Sequence, residues 1–447
     1  MVSNVLYLPT HRPVDALLEG VLAEAEWVHS RSTSGACFLL VEHGASPETS
    51  ERNGAALAAA QEAHGSLCSS HLTRERSEEL VDAVLQRCDL GPEQRERVRD
   101  LLLPVGLSYG AAPNVAYLAA IALGADAVHR RDSDVQVEHG RWPAQFELSM
   151  LGKPLGETSA IQSQRGQRHF APEAQIACVG TCGYGDAAFD RRDLLSAGFD
   201  RATAFQSLGS GSADRLGTEM LAGFFMYGEP QIRYQTDAAW IDYEERVEMQ
   251  ACAIGQIFHY LPEMPALNLV GSDYMTKDLA WQMSLPVMFH TRKVKHHYGP
   301  YRRDQRSIDD VVDYALRDLR YLQMGRAWSM HNETLGSRWG SLQDFDPATY
   351  SKSFLDAADG SKGAMREVRT AAARIYREAS SESVDPLRSR LLAVSEAIES
   401  EGASLEEGVI GSIRDFTHLV EAWPNMRAGA VRLGSEIEPL LGIQGRS

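Results

Sequence analysis

Lysine is scarce in this chain: six of its 44 basic residues are Lys and 38 are Arg, against 61 acidic residues and a net charge of −17 over 447 residues. That deficit of positive charge argues against a nucleic-acid or anionic-membrane binder unless a local basic face exists. The six cysteines, Cys37, Cys68, Cys88, Cys178, Cys182 and Cys252, contain no CxxC pair. A zinc ribbon and a disulfide framework are therefore not expected, and buried thiols are. No run of about 18 apolar residues occurs, so no membrane-spanning helix is expected. The opening MVSNVLYLPTHRP has no basic stretch leading into an apolar one, and a cytoplasmic location is the expectation. GxGxxG and GxxxxGK[ST] are both missing, which excludes the dinucleotide and P-loop fingerprints, and no internal repeat or low-complexity run appears. What is present is an ordinary globular mixture, 44% hydrophobic and 23% charged.

Short apolar runs alternate with amphipathic stretches from the start. Val5 to Leu8, Val14 to Val28, Cys37 to Val41 and Glu51 to His64 read as strand, helix, strand, helix, the pattern of an α/β domain with a largely parallel sheet. Val81 to Leu103 reads as one or two surface helices. A helix from Pro113 to Leu123, closed by Gly124, leads to a strand from Ala125 to His129. Residues 150–175 read as a polar loop containing Gln164, Arg165, Gln167 and Arg168, and strand character resumes at Ala177. A further strand is expected over Pro286 to Val294. Beyond about residue 303 the spacing becomes helical, over Ile308 to Trp328, Met365 to Ile398 and Ile410 to Leu441. The expected division is 1–303 for an α/β domain and 304–447 for a helical region that covers the site or builds a homodimer.

Asp132-Ser133-Asp134 follows a buried strand, and carboxylates at the C-terminal end of a strand in an open α/β sheet point into the ligand crevice. Two such acids suit Mg²⁺ or Mn²⁺, which take oxygen ligands and complete their shell from phosphates and water. Taken alone, the pair reads more readily as a solvated loop. Gly271-Ser272-Asp273-Tyr274 opens a helix, with Ser272 or Asp273 available as its cap. Lys295-His296-His297-Tyr298 follows the next strand, where either imidazole can join a metal shell. Asn114 is a candidate cap at its helix start. Trp142, Trp240 and Trp281 offer faces for a sugar or are core. Arg302, Arg303 and Arg306 are a solvated segment or a clamp on phosphate.

In order along residues 5 to 298, five pieces resemble the GT-A-fold glycosyltransferases. Val5-Leu-Tyr-Leu-Pro9-Thr10-His11-Arg12 is similar to their first strand and turn. Leu39-Leu-Val-Glu42-His-Gly-Ala-Ser46 is similar to the second strand that meets the nucleotide. Pro113-Asn114 through Gly124-Ala-Asp126 resembles the helix and strand that lead to Asp132-Ser-Asp134. Gly271-Ser-Asp273 resembles the later Glu-Asp motif, and His296 or His297 the terminal His. Glu42-His43, Pro113 and Ser272 depart from the family's Asp pair, Arg and Glu, which points to a divergent, family-2-like branch of actinobacterial type.

The resemblance implies a GT-A-type mixed sheet flanked by helices. It also implies transfer of a sugar from a UDP- or GDP-linked donor, and with no membrane-spanning segment expected, a soluble small molecule is the expected acceptor. Asp132, Asp134 and His297 or His296 would hold Mn²⁺ or Mg²⁺. Thr10, Arg12, Glu42, Asn114 and Asp132 would line the nucleotide-sugar pocket. Asp273 would be the general base of an inverting reaction. The alternatives are a nucleotidyltransferase of similar fold, a retaining transferase in which Asp273 positions the acceptor, and a non-catalytic binding protein.

Overall fold

The computed structural model describes residues 2–65, 67–158, 170–181, 183–185, 191–209, 238–241, 247–267, 269, 271, 273–296 and 307–443. Its strands are β1 (Asn4–Thr10), β2 (Ala36–Glu42), β3 (Cys68–Leu72), β4 (Ala127–Arg131), β5 (Val135–Gln136), β6 (Cys178–Thr181), β7 (Gly183–Gly185), β8 (Ala239–Ile241), β9 (Glu248–Ile254), β10 (Val287–His290) and β11 (Val294–His296). The helices of the first part are α1 (Asp15–Arg31), α2 (Pro47–Ala63), α3 (Arg74–Gln86), α4 (Pro92–Leu102), α5 (Ala111–Leu123), α6 (Ala144–Met150), α7 (Arg192–Ala197), α8 (Phe199–Ser207) and α9 (Tyr274–Gln282). The C-terminal helices are α10 (Ile308–Leu335), α11 (Pro347–Gly360), α12 (Lys362–Ser381), α13 (Leu387–Glu401), α14 (Ser404–Leu433) and α15 (Ile437–Leu440).

Among the described residues the strands form an eight-stranded sheet, ordered β3-β2-β1-β4-β9-β6-β10-β8, and a three-stranded sheet, ordered β5-β11-β7. β1, β2, β3 and β4 run parallel, β9 is antiparallel to β4 and β6, and β10 runs parallel to β6. This is a mixed α/β sheet flanked by helices and followed by a helical C-terminal region, the architecture that the pattern of elements predicts.

Both faces of β1 and β2 are covered, which is why these strands read as unbroken apolar runs. Tyr7, Leu39 and Val41 face α5, while Leu6, Leu8, Phe38 and Leu40 pack against Leu18 and Leu22 of α1 and Leu57 of α2. Helix α5 is buried on every side, and Gly124 closes it in the left-handed conformation, φ 75°, that a side chain disfavours. The C-terminal helices share this core: Phe416, Trp423 and Met426 of α14 belong to the same apolar cluster as Val5 and Tyr7. The Trp423 indole also donates to the Phe258 carbonyl at 3.0 Å.

Four elements differ from the sequence pattern. β3, Cys-Ser-Ser-His-Leu, is a half-polar edge strand that no apolar alternation announces. β4 runs to Arg131 rather than ending at His129, so Arg130 and Arg131 are buried strand residues. The single strand expected over Pro286 to Val294 is two, β10 and β11, in different sheets. The helical spacing over Met365 to Ile398 is two helices, α12 and α13, separated around Pro386, and α11 precedes them.

Candidate active site

The strand directions gather the C-terminal ends of β1, β2, β4, β6 and β10 at one edge of the sheet, where ligands of open α/β sheets bind. Arg130 is the centre of this edge. Its Nε donates to Asp132 Oδ1 at 2.6 Å, and its Nη1 lies 3.2 Å from Glu263 Oε1 and 3.0 Å from Asp273 Oδ2. Burial alone would disfavour the charge on Arg130, but the acids beside it, Asp132 foremost, outweigh that and keep the guanidinium protonated. Glu263 is wholly buried, and its carboxyl is pushed up to about 8, mainly by burial, against the pull of Arg130. It is thus neutral at neutral pH and accepts a hydrogen bond from the Tyr117 hydroxyl at 2.8 Å. Burial likewise moves Asp132 upward, opposed by Arg130 and reinforced by Asp134.

Asp273 stands at the N-cap of α9, yet its side chain makes no capping hydrogen bond. Its carboxylate pairs with Arg130 instead, so the capping role that the sequence allows is not the one it plays. Asp134 sits between two bases, with Oδ2 3.3 Å from Arg12 Nη1 and Oδ1 3.4 Å from His296 Nε2. Asp134 and His296 thus offer an oxygen and a nitrogen at one point, a donor pair that suits a divalent cation completed by phosphate and water. Asp132 lies two residues away with its carboxylate turned onto Arg130. Among the described residues no three His, Cys, Asp or Glu side chains gather closely enough to hold a metal. Of the ligands expected from the sequence, Asp132, Asp134 and one of His296 and His297, Asp134 and His296 meet, Asp132 is engaged by Arg130, and His297 lies outside the described residues.

The nucleotide-side candidates separate into two groups. Thr10 Oγ1 donates to the Arg12 carbonyl at 2.9 Å and accepts from the Arg12 amide at 3.0 Å, a turn that aims Arg12 at Asp134. Glu42 accepts from Asn53 Nδ2 at 2.8 Å and lies 3.0 Å from His71 Nε2. Burial raises its carboxyl, but His71, Ser50 and Asn53 together hold it below the usual carboxylate range. Asn114 is different: it is fully buried, donates to the Glu263 carbonyl at 2.9 Å and accepts from the Glu263 amide at 2.7 Å. Both ends of its amide are spent on the main chain of Glu263, so it fixes that acid and presents nothing to a nucleotide.

Side chains alternate along β4, so its other face carries a second buried charge cluster. Arg131 makes bonds of 2.9 and 2.7 Å to Glu24 on α1 and of 2.8 Å to Glu147 on α6. His129 joins Glu147 at 2.6 Å and Asn4 at 3.0 Å. This cluster clamps the strand that delivers Asp132 and Asp134. A cavity of about 640 Å³ bounded by Ser3, Asn4, Asp126 and Gly255 opens at the opposite edge of the sheet, away from these acids.

Sequence reasoning misses Arg130, Glu263, Asn53 and His71. A lone acid in Leu261-Pro-Glu263-Met-Pro265 is the one local signal that existed. Among the aromatic candidates, Trp142 packs on Trp27 at 5.9 Å and Trp281 on Phe170 at 5.7 Å. The Trp240 side chain, Gln164, Arg165, Gln167, Arg168, Arg302, Arg303 and Arg306 lie outside what is described.

A family model described as a family of unknown function (DUF6271) matches residues 3–438. The chain belongs to that family. No curated protein matches it. Among solved structures, this family member is similar to the mannosyltransferase PcManGT from Pyrobaculum calidifontis in complex with GDP-Man and Mn²⁺. The TM-score is 0.35 at 12% identity, over 94% of this chain and 86% of that one. It is also similar to mannosyl-3-phosphoglycerate synthase from Rubrobacter xylanophilus, with a TM-score of 0.36 at 12% identity over 74% and 75%.

Proposed function

We propose that this chain is a metal-dependent glycosyltransferase that uses a nucleotide-diphosphate sugar and inverts the anomeric carbon. The observation that carries the reading is the meeting of Arg12, Asp134 and His296, beside the Arg130-held pair Asp132 and Asp273, at the C-terminal edge of the sheet. These residues come from the turn after β1, the end of β4 and the turn that follows it, β11 and the start of α9.

Asp134 and His296 would hold Mn²⁺ or Mg²⁺. The bound cation supplies neutralisation of charge on the leaving diphosphate. Arg12 adds a fixed positive charge at the same place, and its Nε is buried without a hydrogen-bond partner among the described residues, a donor open to a phosphate oxygen. Glu42, acceptor-only when ionised, faces the nucleoside, with Thr10 shaping the turn beside it. Arg130 orients Asp273, whose other oxygen takes the proton of the acceptor hydroxyl as that oxygen attacks the anomeric carbon. Glu263, neutral, leaves most of the Arg130 charge to Asp132 and Asp273. Release of nucleoside diphosphate from a panel of UDP- and GDP-sugars tests this. The wild type is expected to turn over one donor, and Asp273→Asn to lose about 10²–10⁴-fold in rate while still binding that donor. Equal rates in the two proteins remove Asp273 from the role of base.

A further inference from the structure

Cys37 in β2 and Cys68 in β3 are register partners across a parallel strand pair, and their sulfurs lie 3.0 Å apart. Neighbouring strands run about 4.8 Å apart, which falls within the Cα separation of about 4.4–6.8 Å that a disulfide spans. The two thiols differ in access. Cys37 is fully buried, whereas Cys68 is partly exposed on the strand that ends the sheet. The other cysteines among the described residues, Cys88, Cys178 and Cys252, are buried, and burial pushes the Cys88 thiol up to about 11.

We infer that Cys37 and Cys68 form a thiol–disulfide exchange site, with Cys68 as the attacking thiol and Cys37 as the resolving one. The co-reactant is a low-molecular-weight disulfide. The Cys68 thiolate attacks one sulfur of that molecule, breaks its S–S bond and expels one thiolate, leaving a mixed disulfide on Cys68. The Cys37 thiolate then attacks the Cys68 sulfur, forms the intramolecular S–S bond and expels the second thiolate. Two protein thiols are oxidised, one small disulfide is reduced to two thiols, and the two protons pass to the departing thiolates. The product ties the edge strand to β2 and closes a loop around α2. The same two strands end at Glu42 and next to His71, which lie 3.0 Å apart, so the bond fixes the strand pair that carries the nucleotide-side acid. Closure of that loop restricts the unfolded chain and makes the oxidised form harder to unfold.

The test is incubation of the full-length folded protein with oxidised glutathione, followed by alkylation, intact-mass measurement and mapping of disulfide-linked peptides. The wild type is expected to lose two hydrogens and to yield a Cys37–Cys68 peptide. Cys37→Ala is expected to stop with one glutathionyl group on Cys68, and Cys68→Ala to take up none on Cys37. Three results overturn the inference: a wild type that retains glutathione on Cys68, a link that maps elsewhere, including to Cys182, or no reaction of the folded protein. The wild-type peptide map decides the matter even if a variant folds poorly, and it is independent of the glycosyltransferase reading.

Discussion

Replacing Glu263 by Gln probes the buried centre of the site through the pH dependence of stability. The Glu263 carboxyl rises from 4.5 to about 8 on folding because it is enclosed, so the native state keeps a proton that the unfolded chain releases in that window. Stability therefore falls as pH rises from about 4.5 to about 8, by about 5 kcal/mol in total. About 2 kcal/mol of this is already lost near pH 6, and about 2–3 kcal/mol more is lost between about pH 6 and about pH 9. Gln mimics the neutral form: its carbonyl still accepts from Tyr117 and Arg130, and it has no proton to lose. Urea unfolding of both proteins across this range should show the wild type falling about 2–3 kcal/mol further than Glu263→Gln. Parallel curves would mean that Glu263 is ionised in the folded protein and that the charge balance around Arg130 is wrong.

On the other face of β4, Arg131→Met leaves Glu24 and Glu147 buried without their cation and should cost about 3–5 kcal/mol of stability by denaturant titration; a loss under 1 kcal/mol would show that water or protonation relieves the acids. Asn53→Ala removes the bonds of 3.0 Å from the Val14 amide and 2.8 Å to Glu42. It should cost about 1–3 kcal/mol and weaken donor binding, and unchanged binding would separate Glu42 from the nucleotide pocket.

What the sequence reveals follows from burial. β1, β2 and α5 are legible because parallel strands and a fully enclosed helix leave continuous apolar runs, ended by turn signals such as Gly124. β3 is not, because an edge strand needs only one covered face and Cys-Ser-Ser-His-Leu shows no alternation. The same logic hides Arg130: two consecutive arginines read as the end of a strand, whereas each is buried against acids that lie far off in sequence, Glu263 and Asp273 on one face, Glu24 and Glu147 on the other. Asp132, Asp134, Asp273 and His296 can be singled out because local sequence marks strand and helix ends. Which of them touch is fixed by the sheet order, and that is how Asp134 rather than Asp132 comes to meet His296.

The glycosyltransferase reading requires a cation-assisted diphosphate site at Asp134. Calorimetric titration of the protein with UDP and GDP, each with and without Mn²⁺, on the wild type and on Asp134→Ala tests it most directly. Binding of one diphosphate that requires Mn²⁺ and vanishes in Asp134→Ala is the predicted result. Binding of neither diphosphate under any metal condition, or binding that Asp134→Ala leaves intact, would contradict it.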